Sequence, residues 1–242
     1  MNTYVLGAGA SHHAGYPLTR TLLVHLARWV EATKPPNHDY RIRVDELRNL
    51  YGRLDDFERL FADLDDPHPG SKAYRINSSI RPIIRSDLIK ALQEFFAELR
   101  QQPAEAYEVF ARNRANPGDV IITFNYDVSL ERELKKKKKW EIGNGYGFHI
   151  CTNLNSDIKL LKLHGSTNWV GAIFNGSIRG FHPADSSMLG DGPFILAPEF
   201  QFLGYRGDCD PGIKGAQIVP YPCLIMPTSK KNFYVETPYG RE

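Results

Sequence analysis

Three short apolar runs, each cut off by glycine or polar residues, constrain this chain more than any other feature. Residues 3 to 6 end in Gly7-Ala8-Gly9-Ala10-Ser11, Val120 to Thr123 ends in Phe124-Asn125-Tyr126-Asp127, and residues 158 to 163 end in His164-Gly165-Ser166. A strand buried in a parallel sheet reads as a continuous apolar run, and its carboxyl end delivers functional groups to the sheet's rim. Three such ends predict an α/β fold: a doubly wound, mainly parallel, Rossmann-like sheet with one shared site at its edge.

Between the first and second runs the pattern changes to that of helices. Leu18, Leu22, Leu26 and Val30 recur every four residues, with Leu23 and Ala27 beside them, and the row stops at Pro35-Pro36. Leu54, Phe57, Phe61 and Leu64 mark a second helix, and Ile84, Leu88, Leu92, Phe95 and Leu99 a third. Pro67-His68-Pro69-Gly70 separates these two. Residues 104 to 115 supply another helix before Asn116-Pro117-Gly118. The chain is therefore expected to be one domain over 1–242, with a helical insertion at about 35–115 lying over the sheet. Val128, Leu130 and Leu134 predict a helix from Asp127 to about Lys139, and Gly143-Asn144-Gly145-Tyr146-Gly147 a turn joining a hairpin. Beyond Trp169, brief apolar runs at 194–196 and 224–226 alternate with Gly- and Pro-rich stretches, and no helix is expected.

The formal net charge of +2 gives no whole-chain field for nucleic acid or an anionic membrane. No apolar stretch approaches the roughly 20 residues that span a bilayer. The first residues enter a strand directly, with no signal peptide, so a cytoplasmic location is expected. Cys151, Cys209 and Cys223 are widely spaced and form no C-x-x-C pair, which argues against a disulfide framework or a zinc ribbon. Lys135 to Lys139 reads as the solvated end of a helix, matched to its C-terminal dipole, and Asp55-Asp56-Phe57-Glu58 as an acidic first turn. His12 and His13 are adjacent, not at helical ligand spacing, and are assigned no metal.

A strand followed by Gly-x-Gly and a helix start turns backbone N–H groups toward an anion such as a pyrophosphate. The dinucleotide fingerprint of dehydrogenases would place a third glycine at position 12, where His12 stands; Ser11 offers a hydroxyl to a phosphate instead. Taken alone, Gly7 and Gly9 equally suit a tight turn made for packing. Thr123 to Asp127 is more specific, because it sets an amide, a phenol and a carboxylate on consecutive residues at a strand end. The alternative is that Asn125 closes a turn and Asp127 caps the next helix. His164 follows a strand and precedes a glycine, and an imidazole with a pKa near ~6.5 suits proton transfer at neutral pH.

Taken in order, Gly7-Ala8-Gly9-Ala10-Ser11 with Gly15-Tyr16-Pro17, Thr123-Phe124-Asn125-Tyr126-Asp127 with Leu130-Glu131, and Lys162-Leu163-His164-Gly165-Ser166 with Trp169 resemble the sirtuin-like NAD-hydrolysing domains of bacterial anti-phage defence proteins. Met226-Pro227-Thr228 with Lys230 is similar to the proline-rich element that follows in that family. The resemblance implies an NAD glycohydrolase that releases nicotinamide and ADP-ribose, with NAD as substrate and no metal. It places Gly7, Ala8, Gly9 and Ser11 at the NAD phosphates, with Thr123, Gly165 and Ser166 completing the NAD-binding set. Asn125 would contact the nicotinamide ribose and position water, Asp127 would face the carboxamide, and His164 would act as base. The chemistry is coherent with this set, since breaking the N-glycosidic bond builds oxocarbenium character that needs acceptors near the sugar and a base.

Two departures qualify the resemblance. Sirtuin deacylases carry four zinc-binding cysteines in two pairs, which three scattered cysteines do not reproduce, so deacylation is disfavoured and no zinc is expected. The family also continues into a Gly-Tyr-Ser or Gly-Phe-Ser element beside the adenosine, and nothing after Phe233 supplies it, so a missing C-terminal strand is expected. Two other functions fit the same residues: a non-catalytic NAD or ADP-ribose sensor module, and an ADP-ribosyltransferase. The resemblance leaves open a homo-oligomer or a partner defence protein; neither membrane nor nucleic acid is an expected partner.

Overall fold

The structure, a computed structural model, describes residues 1–141, 145–146, 157–174, 177–183 and 217–224. Cys151, Cys209, the 194–196 run and the Met226 to Lys230 element lie outside the described residues. The fold is mixed α/β, with helices dominant and a three-stranded parallel sheet, and is compatible with a Rossmann-like fold. The chain divides into two compact units, one containing residues 1–16 and 97–225 and the other residues 17–96.

The first unit is built on β1 (Thr3–Leu6), β2 (Val120–Thr123) and β3 (Lys159–Lys162), paired in the order β1-β2-β3. All three strands coincide with the apolar runs in the sequence. Their carboxyl ends are flush, because Leu6 pairs with Thr123 and Thr123 with Lys162. The ladder runs one residue further: the Phe124 N–H donates to Leu6 O at 3.2 Å and the Leu163 N–H to Thr123 O at 3.0 Å. At the other end, Asp119 accepts from the backbone N–H groups of Asn2, at 2.6 Å, and Asn116, at 3.0 Å. These bonds hold its carboxyl below the usual carboxylate range and pin the start of β2 beside β1.

The two faces of the sheet differ. Ile121, Thr123, Leu160 and Lys162 point to a buried face, whereas Val5, in register with Ile122 and Leu161 on the other, is 65% exposed. On the buried side, α5 (Glu105–Asn113) sets Phe110 edge-on against Tyr4, with ring centroids 5.0 Å apart, and α5 packs on α6 (Ser129–Lys136). The Lys135 to Lys139 run closes that packing. Lys137 pairs with Glu108 of α5 at 3.2 Å, and Lys139 Nζ donates to the Ala115 carbonyl at 2.7 Å.

A second sheet follows directly: β4 (Gly165–Phe174), β5 (Ser177–Pro183) and β6 (Gln217–Leu224), antiparallel in the order β5-β4-β6. It was not predicted. Where the sequence suggested loops around Pro220 and Pro222, β6 is an edge strand, a place where proline removes no ladder hydrogen bond that the strand needs.

The second unit is helical: α1 (Thr19–Thr33), α2 (Asp39–Tyr51), α3 (Phe57–Asp65) and most of α4 (Arg81–Leu99). In α1 the predicted row is buried at Leu22, Leu26 and Val30. Asp56 caps α3 by accepting from the Arg59 N–H at 2.9 Å, which realises the acidic first turn read from the sequence. The boundaries differ from the expected insertion at 35–115: α1 belongs with this helical unit, while α5 belongs with the sheet. Among the described residues no helix is long and apolar enough to cross a membrane.

Candidate functional site

The flush strand ends place the three motifs at one edge of the sheet. Gly7 follows β1 and opens a 3-10 segment, Ala8–Ala14, closed by the Ala10 N–H donating to Gly7 O at 2.9 Å. Gly7 and Gly9 are exposed, and a Cβ added to either would meet nothing within 4 Å. Gly15, which ends the segment, has φ 85°, a left-handed backbone that favours glycine. The fold therefore needs a glycine at 15, but neither space nor strain demands one at 7 or 9.

After β2, Thr123 Oγ1 accepts from the Asn125 N–H at 3.1 Å, a side-chain turn that swings the chain out of the strand. Asn125 Nδ2 then donates to Gly7 O at 3.0 Å and to Ser11 Oγ at 2.8 Å. Ser11 Oγ donates to Asp127 Oδ2 at 2.6 Å, and the other oxygen, Oδ1, accepts from the Ser129 N–H at 3.0 Å where α6 begins. The first two motifs are thus joined directly through side chains. These bonds match the alternative reading of the stretch: Asn125 and Asp127 fasten turns, and they do so at the glycine loop.

Ser11, Thr123 and Asp127 are buried. Ser11 is turned inward, onto Asp127, Asn125 and the Tyr107 hydroxyl at 2.8 Å, while Gly7 and Gly9 are exposed beside it. Asp127 already holds an internal donor on each carboxylate oxygen.

The third motif reaches the same rim by a different route. Leu163 and His164 form the turn between β3 and β4, and Gly165 takes φ 78°, so that glycine answers the turn's left-handed backbone. The His164 ring lies edge-on to Phe124 with centroids 5.3 Å apart and 6.1 Å from Tyr126, the two neighbours of Asn125 in sequence. The hydrogen bonds of Asn125 go to Gly7, Ser11 and Tyr107, and none joins it to His164. Ser166 is fully buried, and its hydroxyl, with the N–H and hydroxyl of Thr167, donates to Tyr126 O at 3.4, 2.9 and 3.1 Å. That clamp ties β4 to the segment carrying Asn125.

Beneath the rim lies a buried ion pair. Lys162 Nζ donates to Glu131 Oε1 at 2.8 Å, with the two side chains 0% and 1% exposed, and also to the Asp127 carbonyl. Tyr146 donates to the same Glu131 oxygen at 3.0 Å, and Asn168 Nδ2 donates to Tyr146 at 3.1 Å. Burial pushes the Glu131 carboxyl above its ordinary value, against the pull of Lys162, and pushes the Tyr146 phenol well above its own. Glu131 and Lys162 stand in the motifs, but their chemistry was not singled out from the sequence; Tyr107, Tyr146 and Asn168 were not singled out at all. Among the described residues no group of three or more His, Cys, Asp or Glu could hold a metal ion.

The arrangement offers a glycine loop with open space before it, an amide fastened to that loop, and an imidazole at the neighbouring turn, all held from below by buried polar bonds. Compared with known proteins, the chain matches no family model and no curated protein.

Proposed function

We propose that this chain is an NAD glycohydrolase with a sirtuin-like, doubly wound nucleotide-binding fold, in which NAD lies across the carboxyl ends of β1, β2 and β3. The observation that carries the reading is the flush register Leu6–Thr123–Lys162, which brings out Gly7, Asn125 and His164 at one edge. Nucleotides bind at that edge in open α/β sheets.

In this reading the exposed backbone of Gly7 to Gly9 receives the pyrophosphate, and the space before the two glycines is what lets it approach. The C1′–N1 bond of the nicotinamide riboside breaks with its electron pair going to the ring nitrogen, so that neutral nicotinamide leaves. Water adds its oxygen to C1′ and gives up a proton to His164. Asn125 holds the water or a ribose hydroxyl through its amide oxygen, and the product is ADP-ribose. A role in depleting NAD during phage infection follows from the resemblance of the motifs.

The test is release of nicotinamide from NAD by the purified protein. Asn125→Ala and His164→Ala are each expected to lower the rate by about 10²-fold or more, the usual scale for a positioned acid–base or acceptor group. Unchanged activity in both variants refutes the assignment, and calorimetric NAD binding without turnover in the wild type identifies a binding module instead.

A further inference from the structure

We infer that Tyr107, carried on α5 outside all three motifs, is a positioning residue of this site: its hydroxyl closes the hydrogen bonding of Ser11 and so fixes the Asn125 amide with its carbonyl oxygen facing outward.

The argument is an inventory of protons. A serine hydroxyl has one proton to give and two lone pairs to receive with. Ser11 lies against three polar atoms: Asp127 Oδ2 at 2.6 Å, Asn125 Nδ2 at 2.8 Å and the Tyr107 hydroxyl at 2.8 Å. A carboxylate oxygen accepts and an amide nitrogen donates, so the serine proton goes to Asp127 and one lone pair takes the Asn125 N–H. The remaining lone pair is filled by Tyr107, which therefore donates. With all three bonds made, the Ser11 hydroxyl has no freedom to rotate. Burial and the nearby Asp127 charge hold the Tyr107 phenol well above its ordinary value, which keeps the donor proton in place.

The same inventory orients Asn125. Gly7 O is a carbonyl and can only accept, so the amide must turn its nitrogen toward it. Nδ2 has two protons: one goes to Gly7 O, and the other to Ser11 Oγ at 2.8 Å, with the Tyr107 oxygen sharing it at 3.5 Å. Oδ1 is left facing away from these anchors. It accepts no hydrogen bond from any described residue, and it is not a buried atom left without a partner. It therefore reaches the surface of a side chain that is otherwise only 9% exposed. An amide held in this way presents a neutral acceptor to whatever binds. It selects a hydroxyl, whether of a sugar or of water, and disfavours a phosphate or carboxylate oxygen at the same point.

The link to catalysis rests on the glycohydrolase reading; the orientation of the amide does not, and the two are measured separately. Tyr107→Phe keeps the ring, which packs edge-on against His13 with centroids 4.9 Å apart, and removes only the hydroxyl. Tyr4→Phe, which removes the exposed hydroxyl bonded to Arg114 O at 3.3 Å, is the control. In ¹⁵N-resolved spectra, the side-chain amide pair absent from Asn125→Asp identifies Asn125. Tyr107→Phe should speed solvent exchange of that pair at least tenfold and lower kcat for nicotinamide release at least tenfold with KM within threefold, while Tyr4→Phe changes neither. Faster exchange in a protein whose wild type does not turn NAD over upholds the positioning role and rejects the glycohydrolase. An amide pair that exchanges as in the wild type overturns the inference, whether activity is retained or falls together with Tm.

Discussion

Replacing Lys162 by methionine should destabilise the sheet unit by about 3–5 kcal/mol at neutral pH, the usual consequence of deleting one partner of a buried ion pair. The side chain is of similar length, so the loss is electrostatic more than steric. Glu131 keeps the hydrogen bond from Tyr146 but loses the cation 2.8 Å away, and the Asp127 carbonyl loses its donor as well. Burial already raises the Glu131 carboxyl above its ordinary value of 4.5, and without Lys162 it rises further. An acid raised on folding binds its proton more tightly in the native state, so stability is greatest below the unfolded value and falls as pH rises toward the folded one. Each further unit of rise adds about 1.4 kcal/mol to the deficit at neutral pH. The deficit of Lys162→Met against wild type should therefore be small near pH 4.5 and grow toward pH 7. Adding Glu131→Leu should restore much of the stability and remove the pH dependence, since a well-packed apolar pair avoids the desolvation of both charges. Urea unfolding followed by tryptophan fluorescence reports it, because Trp140 in the same unit is fully buried. A single variant within about 1 kcal/mol of wild type at pH 7, or a deficit equal at both pH values, refutes the reasoning.

The remaining predictions concern the glycines and the catalytic set. Gly7→Ala and Gly9→Ala should leave Tm within a few degrees of wild type, since each Cβ enters open space, yet weaken NAD binding at least tenfold by calorimetry. If binding survives, the loop does not receive the phosphates. Gly145→Ala should behave in the opposite way: its Cβ would come within 2.2 Å of the buried Trp140 indole, so a loss of about 1–3 kcal/mol and a changed near-ultraviolet signal are expected. The Asn125, His164 and Tyr107 variants described above complete the set.

What the sequence made legible was what strong local patterns encode. The three strands stand out because apolar runs four to six residues long stop at glycine or polar residues, and α1 because its buried row Leu22, Leu26 and Val30 recurs every four residues. By contrast α2 buries only Val44 and Leu47 among many charges, too thin a stripe to mark a separate helix. Tyr107 looks like any aromatic on the buried stripe of α5, where Ala111 lies one turn on, and nothing local says that its hydroxyl meets Ser11, 96 residues away. Lys162 and Glu131 pose the same difficulty: the second lysine of Lys159-Leu160-Leu161-Lys162 reads as a strand end, and its partner is 31 residues distant. The antiparallel sheet was hidden for another reason, since prolines in an edge strand imitate a loop.

These distances separate two kinds of residue that the motifs present side by side. Ser11, Thr123, Asp127 and Ser166 are buried, and their polar atoms already meet partners inside the protein. Gly7 and Gly9 are exposed, Asn125 keeps an outward acceptor, and His164 is half-buried at the rim. A motif is thus not a roll of ligand contacts. Asp127 illustrates the difference: its two oxygens take Ser11 and Ser129 while its carbonyl takes Lys162, so it joins the glycine loop, α6 and β3 at a single residue. Replacing it should disturb Ser11, and through Ser11 the amide of Asn125, without any ligand present. Loss of activity in an Asp127 variant would therefore not by itself establish contact with nicotinamide; an altered Asn125 side-chain amide signal in the ligand-free variant would place its effect in the scaffold.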